Sequence, residues 1–228
     1  MSRRKPPGRA DHCAESAVFG PWNATWQYLR IIDSQAPEFP DVIGTGDLRL
    51  VAPSDTSGPE LFATIKDPRV WQWMPAVKPQ SPAQMQALID KWNRDRSSGR
   101  RVAYLVEVDG AIAGNISLYD YDSANDTIES GFTWLAPEYW GTGVNQRMKL
   151  LLYDFAFGAL GVERLAVRTD NLNLPAQRAL EAMGMHREGV MRSHIRRPDG
   201  TMRDSVYYSI IADEWPVIRA QWAARSPR

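Results

Sequence analysis

The stretch Trp134-Leu-Ala-Pro-Glu-Tyr-Trp-Gly-Thr-Gly-Val-Asn-Gln-Arg-Met148 decides how the chain is read. It has the pattern of a strand end, a glycine turn and the first turn of a helix. Such a junction offers free backbone N–H groups at the positive end of a helix dipole, a setting suited to a phosphate. Three phosphate loops compete for it, beside a plain glycine turn. A Walker loop requires G-x-x-x-x-G-K-[ST], and no run of the chain supplies it. The dinucleotide fingerprint G-x-G-x-x-G begins at Gly141-Thr-Gly143 but meets Gln146 where its third glycine belongs. The third reading is a loop that holds a pyrophosphate on consecutive amides near residues 139–145.

Upstream, Asp47–Pro53 alternates as a strand, and Ser54 and Asp55 can cap a helix over about 55–65. Ser81-Pro82 opens a helix with Met85, Leu88, Ile89 and Trp92 at helical spacing, ending near Ser98-Gly99. Val102–Val108 and Ala111–Leu118 read as strands joined by the two-residue turn Asp109-Gly110. A further strand runs from Asn125-Asp126 to Leu135, so an antiparallel meander leads into the glycine junction. Downstream, Met148, Leu151, Leu152, Phe155, Ala156 and Ala159 share a helical face that stops at Gly161. The next strand, Glu163–Thr169, should lie parallel to strand 126–135, because strand–helix–strand is a crossover. Asn173 caps a helix closed by Gly184; Met185–Ile195 and Thr201–Ile211 form a hairpin about Pro198-Asp-Gly200; a last helix runs from Asp213 to about Ala224.

The order of these motifs resembles the GNAT acetyltransferase superfamily, in particular its RimJ/RimL-like branch. The resemblance rests on Trp134–Asn145, on Arg168-Thr-Asp-Asn-Leu-Asn173, on Ala179-Leu-Glu-Ala-Met-Gly184 and on Arg187-Glu-Gly-Val-Met-Arg192. Pro198-Asp-Gly200, Arg203-Asp204 and Tyr208-Ser-Ile-Ile-Ala-Asp-Glu-Trp-Pro216 continue it, so that it covers about 47–218. It implies an α/β GNAT fold: a mixed, mostly antiparallel central sheet of about seven strands, splayed at its parallel pair and flanked by helices. It also implies acetyl-CoA as the acetyl donor, held by Thr133, Leu135, Trp140, Gly141, Thr142, Gly143, Val144, Asn145 and Asn173. One departure is Glu138, where the family often has Gln or Arg; backbone amides supply most of the pyrophosphate contact in this branch.

Acetyl transfer to an amine requires a neutral amine, stabilisation of the carbonyl oxygen, a leaving thiolate and alignment of both reactants. By the resemblance, the amides of Thr133 and Leu135 face the coenzyme, and Thr133 N–H is the donor to the carbonyl oxygen. Period two puts Glu129, Gly131 and Thr133 on one strand face. A carboxylate on a central strand needs a partner or a function. Glu129 stands four residues before the oxyanion amide, the spacing of a base in related acetyltransferases; the other reading is an ion pair with an arginine such as Arg168. The usual proton donors are missing: Ala176 replaces a serine and Leu180 a tyrosine. Thiolate release is then left to solvent or the substrate ammonium. Asn173 is a coenzyme contact or simply a cap. Trp71, Trp73, Tyr119 and His194 are the candidate acceptor-side residues, with core packing as the alternative for the aromatics and a structural role for His194.

The whole chain sets outer bounds. Its 228 residues divide into an N-terminal extension, 1–45, and an acetyltransferase domain, 46–228. Residues 1–16 are basic and non-periodic, as disordered segments are, and residues 17–35 carry the apolar spacing of a short amphipathic helix. Lys plus Arg and Asp plus Glu each number 27, so net charge gives no signal for nucleic acid or an anionic membrane. The only cysteine, Cys13, rules out an internal disulfide and lies in the extension, away from any nucleophile role. No apolar run is long enough to span a bilayer, and no secretory core follows the basic start, so a cytoplasmic place is expected. No Cys/His cluster calls for a metal. The expected protein is a monomer or homodimer acting on a small-molecule amine or a protein N-terminus. The reading from another class is a catalytically weak acyl-CoA-binding or regulatory module.

Overall fold

The computed structural model describes residues 38–225, Ser97 excepted. The readings made for residues 1–37 (a disordered start, the helical pattern in 17–35, the place of Cys13) lie outside the described residues. One mixed sheet organises the described part. Its strands are β1 (Val42–Ile43), β2 (Leu48–Val51), β3 (Arg101–Val108), β4 (Ala111–Asp122), β5 (Thr127–Leu135), β6 (Arg164–Asp170), β7 (His186–Arg196) and β8 (Met202–Ile211). They lie in the order β1-β2-β3-β4-β5-β6-β8-β7, and β5/β6 is the parallel pair. The expected architecture is therefore present, with eight strands where about seven were expected. The added strand is β1, which pairs with β2 through Val42 and Ile43. Two residues are too few to show a period, so the sequence pattern could not reveal it. Ahead of it, Phe39 packs on Tyr121 and Phe155, and Pro40 O accepts from the Tyr104 hydroxyl at 3.0 Å.

The helices cover the sheet's two faces. On one face lie α1 (Gly58–Ala63), α2 (Pro68–Trp71) and α3 (Pro82–Arg96). Leu61, Ile65, Met85, Ile89 and Trp92 pack there on Ala103, Leu105 and Trp134. On the other lie α4 (Val144–Asp154), α5 (Leu174–Ala182) and α6 (Trp215–Arg225). Met148, Leu152, Leu180, Ile218 and Trp222 meet Val102, Tyr104, Ile116, Ile128 and Leu165 in that second core. α4 runs into a π-turn at Phe155–Ala159, where Leu160 N–H donates to Phe155 O at 3.0 Å. α6 is tied back by Trp222 Nε1 to Met183 O (2.6 Å) and by Gln146 Nε2 to Trp222 O (2.9 Å). No described helix is long and apolar enough to cross a membrane.

Two local features open the sheet. β5 and β6 pair only through Thr127–Glu129 against Arg164–Ala166, and no later residue of β5 has a partner on β6. On its other side β5 slips against β4: Ser117 faces Gly131, but Asn115 faces Trp134. That slip is a bulge centred on Phe132, whose φ of 50° is in the left-handed region. Asn115 Nδ2 donates to Phe132 O at 2.8 Å and so satisfies the carbonyl that the bulge frees.

Candidate active site

The bulge corrects one expectation. Gly131 and Trp134 both oppose residues of the Asn115/Ser117/Tyr119 face of β4, so strict alternation ends at Phe132. Glu129 and Gly131 share a face, but Thr133 does not share it with them. The consequence is that Thr133 borders two cavities, one of about 710 Å³ beside the glycine junction and one of about 580 Å³ beside Glu129's neighbours. Asn145, Asn173, Ala179 and Trp73 also border both. The two spaces thus meet along the gap where β5 leaves β6.

The first cavity has the features of an anion cradle. Gly141 and Gly143 take φ of 75° and 86°, and Gly143 is the N-cap of α4 with no side-chain cap, which leaves the first amides of the helix free of a side-chain acceptor. Trp140 Nε1 donates to Leu135 O at 2.8 Å, and Thr142 Oγ1 donates to Tyr139 O at 2.8 Å, so these side chains brace the loop. Leu135, Trp140, Gly141, Gly143, Asn145 and Asn173 all border this cavity; Thr142 and Val144 do not. Glu138 is exposed and lies off it. Arg69, which the sequence did not single out, borders it with its guanidinium 5.1 Å from the Trp140 ring. A phosphate-bearing coenzyme fits this donor set: uncapped helix amides and two glycines without side chains; Arg69 is already paired with Asp67 at 2.6 Å.

Asn173 does cap α5: its Oδ1 accepts from Ala176 N–H at 3.3 Å, and its Nδ2 donates to Thr169 Oγ1 at 3.2 Å. The preceding turn is held by Asp170. Burial opposes ionisation of this carboxyl, but Arg197 (2.8 and 3.0 Å) and the Leu172 amide outweigh it and hold its pKa low.

The second cavity is the polar one. Glu129 Oε1 accepts from Arg168 Nη1 at 3.1 Å, and the same nitrogen donates to the Tyr207 hydroxyl at 2.9 Å. Glu129 Oε2 is buried without a hydrogen-bond partner. Burial raises the Glu129 pKa above the usual carboxylate range, with Arg168 pulling against it. Glu129 itself does not border the cavity; Tyr119, Gly131 and Arg168 around it do. Tyr119 comes so close to the strand that a Cβ on Gly131 would stand 2.7 Å from its hydroxyl. Burial, then the charge of Glu129, pushes that hydroxyl's pKa up.

The other acceptor-side candidates divide. Trp73 borders both large cavities. Trp71 is buried against Phe132 and Trp134, with Nε1 donating to Ala76 O at 2.8 Å, and borders only a smaller space of about 300 Å³. His194 lies off the large cavities, 5.8 Å from the Tyr207 ring, with Nδ1 buried and unpartnered. Burial, then the charges of Arg168 and Arg203, lowers its pKa, so the ring is neutral near pH 7.

Sequence reasoning looked for a proton donor on α5 and found Ala176 and Leu180, both of which border this cavity. It missed α4. Lys149 is 8% exposed, borders the same cavity, and has its pKa pushed down to about 8 by burial. The Tyr153 hydroxyl, one turn on, is buried without a hydrogen-bond partner, and burial pushes its pKa up. Asn145, Lys149 and Tyr153 follow at i, i+4 and i+8, a polar stripe beside the apolar one that was read.

Comparison with known proteins bears on the fold that carries this site. Residues 47–186 match the family model for the acetyltransferase (GNAT) domain. YdaF of Bacillus subtilis (strain 168), whose name gives ribosomal N-acetylation as a provisional activity, is 27% identical over 170 residues, 74% of this chain and 92% of its own. A GCN5-related N-acetyltransferase from Brucella melitensis superposes with a TM-score of 0.77 at 25% identity, over 84% of this chain and 88% of that one. RimJ of Mycobacterium smegmatis, solved in complex with CoA-disulfide, shares the fold with a TM-score of 0.74 at 19% identity, over 83% of this chain and 96% of that one. With more than half of its length matched by that family model, the chain belongs to the GNAT family of N-acetyltransferases.

Proposed function

We propose that the chain transfers an acetyl group from acetyl-CoA to a primary amine, of a small molecule or a protein N-terminus, by direct attack with both substrates bound. The observation that carries this reading is the gap itself. β5 leaves β6 after Glu129 and bulges at Phe132, and the two cavities join at Thr133. Acetyl-CoA supplies an activated acyl thioester. The free amides at Gly143 and the start of α4 would hold its phosphates, beside the Arg69–Asp67 pair, and the Thr133 and Leu135 amides its pantetheine arm.

Each remaining residue has one task. Thr133 N–H donates to the carbonyl oxygen as that oxygen takes up charge. Glu129 accepts the amine's proton through a bridging water, since its carboxylate does not border the cavity. The N–C bond forms and the C–S bond breaks; the departing sulfur takes a proton from Lys149, whose proton affinity is close to that of an alkyl thiol, about 8.5. Tyr119 and Trp73 line the acceptor's approach. The reading of a weakly catalytic module rested on the missing α5 donors; Lys149 supports the enzyme reading by offering a donor on α4 instead. Ribosomal acetylation in the name of YdaF favours a protein N-terminus as one arm of the acceptor search, and a cytoplasmic place fits it.

Two measurements test the reading. Acetyl-CoA should raise the melting temperature, and amines or N-terminal peptides should stimulate release of free thiol. Absence of any shift with acetyl-CoA would remove the coenzyme assignment. A shift without thiol release from any amine would leave a binding module.

A further inference from the structure

The chain carries equal numbers of basic and acidic side chains, yet the acceptor cavity does not share that balance. Several of its cations are answered. Asp95 holds Lys91 at 2.7 Å and lies 3.6 Å from Arg100. Arg168 has Glu129 at 3.1 Å and Asp120 at 3.9 Å. Two guanidinium groups on the cavity wall are not answered: among the described residues, neither Arg101 nor Arg203 has a carboxylate within salt-bridge distance.

Both are positioned rather than solvated. Arg101, at the start of β3, lies 4.0 Å over the Phe132 ring and 5.8 Å from the Tyr119 ring. Phe132 is the residue of the bulge, so the distortion that opens the gap also seats this arginine. Arg203, at the start of β8, is 5% exposed, and its Nε donates to Ser205 Oγ at 3.0 Å. Asp170, the carboxylate whose charge acts on Arg203, is already gripped by Arg197. Burial draws the pKa of each guanidinium below its usual value, the mark of a positive charge without enough compensation. Stacking on aromatic rings satisfies the face of a guanidinium but leaves the in-plane N–H fork, which matches a carboxylate or phosphate.

The phosphates of the coenzyme do not account for these charges. Their cradle is the glycine junction, and neither Arg101 nor Arg203 borders the cavity beside it. What remains for the second cavity is the acceptor. We propose that Arg101 and Arg203 form an anion site on the wall of the acceptor cavity, and that the physiological acceptor is an amine carrying a carboxylate or phosphate within a few bonds of its nitrogen. The proposal rests on the acetyl-transfer reading above. In it, Glu129 receives the amine's proton while the two arginines hold the acceptor's anionic end, which fixes the direction of attack.

The test uses matched acceptors that differ in one charge: amino acids against their amides, O-phosphoethanolamine against 2-methoxyethylamine, and tetrapeptides beginning Ala-Asp against Ala-Asn. The anionic member of at least one pair should show kcat/KM roughly tenfold or more above its neutral partner, the size of one charge-assisted fork. The pair that responds identifies the source: amino acid, phosphate ester or acidic peptide. Arg101→Gln and Arg203→Gln should each bring that ratio toward one, and Arg101→Lys should restore part of it. Calorimetry gives a readout apart from turnover. With CoA saturating its own site, inorganic phosphate or succinate should bind the wild type, and the Arg101→Gln variant several-fold more weakly. Equal kcat/KM within every pair, or no binding of either anion to the CoA complex, would overturn the proposal. A ratio unchanged in both glutamine variants would overturn it too. Failure of the acetyl-transfer reading looks different: acetyl-CoA would give no thermal shift, or no amine, charged or neutral, would release thiol.

Discussion

Arg168 Nη1 stands 3.1 Å from Glu129 Oε1 and so joins the parallel strands β5 and β6 where they are about to separate. Of the two readings of Glu129 made from the sequence, this pair is the ion pair, and the role as base is the one proposed above. The ion pair is there, and one carboxylate oxygen is left buried without a partner. Arg168 keeps the carboxyl ionisable against its burial, while burial keeps it basic enough to take a proton. Glu129→Gln should therefore lower kcat by about 10²-fold, as loss of a general base does, with the acetyl-CoA Kd unchanged. Steady-state kinetics beside thermal titration of acetyl-CoA reads both. A kcat within twofold of wild type would remove Glu129 from the mechanism.

Arg168→Met supplies a separate test of direction. Removing a positive neighbour disfavours the ionised carboxylate, so the Glu129 pKa should rise further. The acidic limb of the kcat/KM–pH profile should move to higher pH. A limb that stays, or moves to lower pH, would mean that some other group sets it.

Two glycines make opposite demands and separate fold from site. A Cβ on Gly114 would stand 2.0 Å from Trp134 O and 2.9 Å from Leu135 Cα, both backbone, just where β4 and β5 close again after the bulge. Gly114→Ala should destabilise the protein by about 2–3 kcal/mol, as overpacking against main chain does. Gly141→Ala meets nothing within 4 Å and loses only the ease of φ = 75°. Its cost to stability should be about 1 kcal/mol, with a larger effect on acetyl-CoA affinity because the loop must leave the cradle shape. Denaturation and ligand titration of both variants should show this crossing. Equal losses of affinity would sink the assignment of Gly141 to the cradle.

The legible and illegible parts of the site follow from what a pattern can carry. Asp109-Gly110 predicted a two-residue turn, and its φ values of 51° and 82° are those such a turn demands. The crossover from β5 to β6 followed from handedness and connection rules alone. The bulge left no mark, because its residue is a phenylalanine at φ = 50° rather than a glycine, and two-residue alternation simply runs through it. That single slip put Thr133 on the wrong face in the sequence reading. Lys149 was hidden for another reason: it sits one residue after Met148 on the edge of a strong apolar stripe, and charged residues there normally reach solvent. Arg101 and Arg203 come from strands far apart in sequence, and only the order β3-β4-β5-β6-β8 brings them to one cavity.

Asn173 carries a cap and a proposed coenzyme contact, which one substitution can divide. Asn173→Ala removes an N-cap and should cost about 1 kcal/mol. Asn173→Asp retains an oxygen for the Ala176 amide and so keeps the cap, but it loses the amide donor to Thr169 and adds a negative charge where both cavities meet. If Asn173 also contacts the coenzyme, the aspartate should melt near the wild type yet bind acetyl-CoA several-fold more weakly. Wild-type affinity in the aspartate variant would reduce Asn173 to a cap.

As the proposed proton donor, Lys149 would tie stability and catalysis to one titration. Its pKa is about 8 in the fold against a reference of 10.5, so between these values the unfolded chain holds more protons than the folded one. Stability from this group must therefore rise with pH across that window, by up to about 3 kcal/mol, and fall away as pH drops through 8. Lys149→Met, which keeps the volume and removes the charge, should be more stable than wild type at pH 7, and its stability should lack that rise. Urea denaturation at pH 7.5, 9 and 10.5 measures the difference in slope. The same variant should lose turnover, and with it the fall in kcat above pH 8 that a donor must cause when it gives up its proton. A flat stability difference with an unchanged alkaline limb would mean that Lys149 reaches water and does not serve the thiol. A stability slope without any kinetic change would keep the lysine buried but hand the proton to Tyr153 or to solvent.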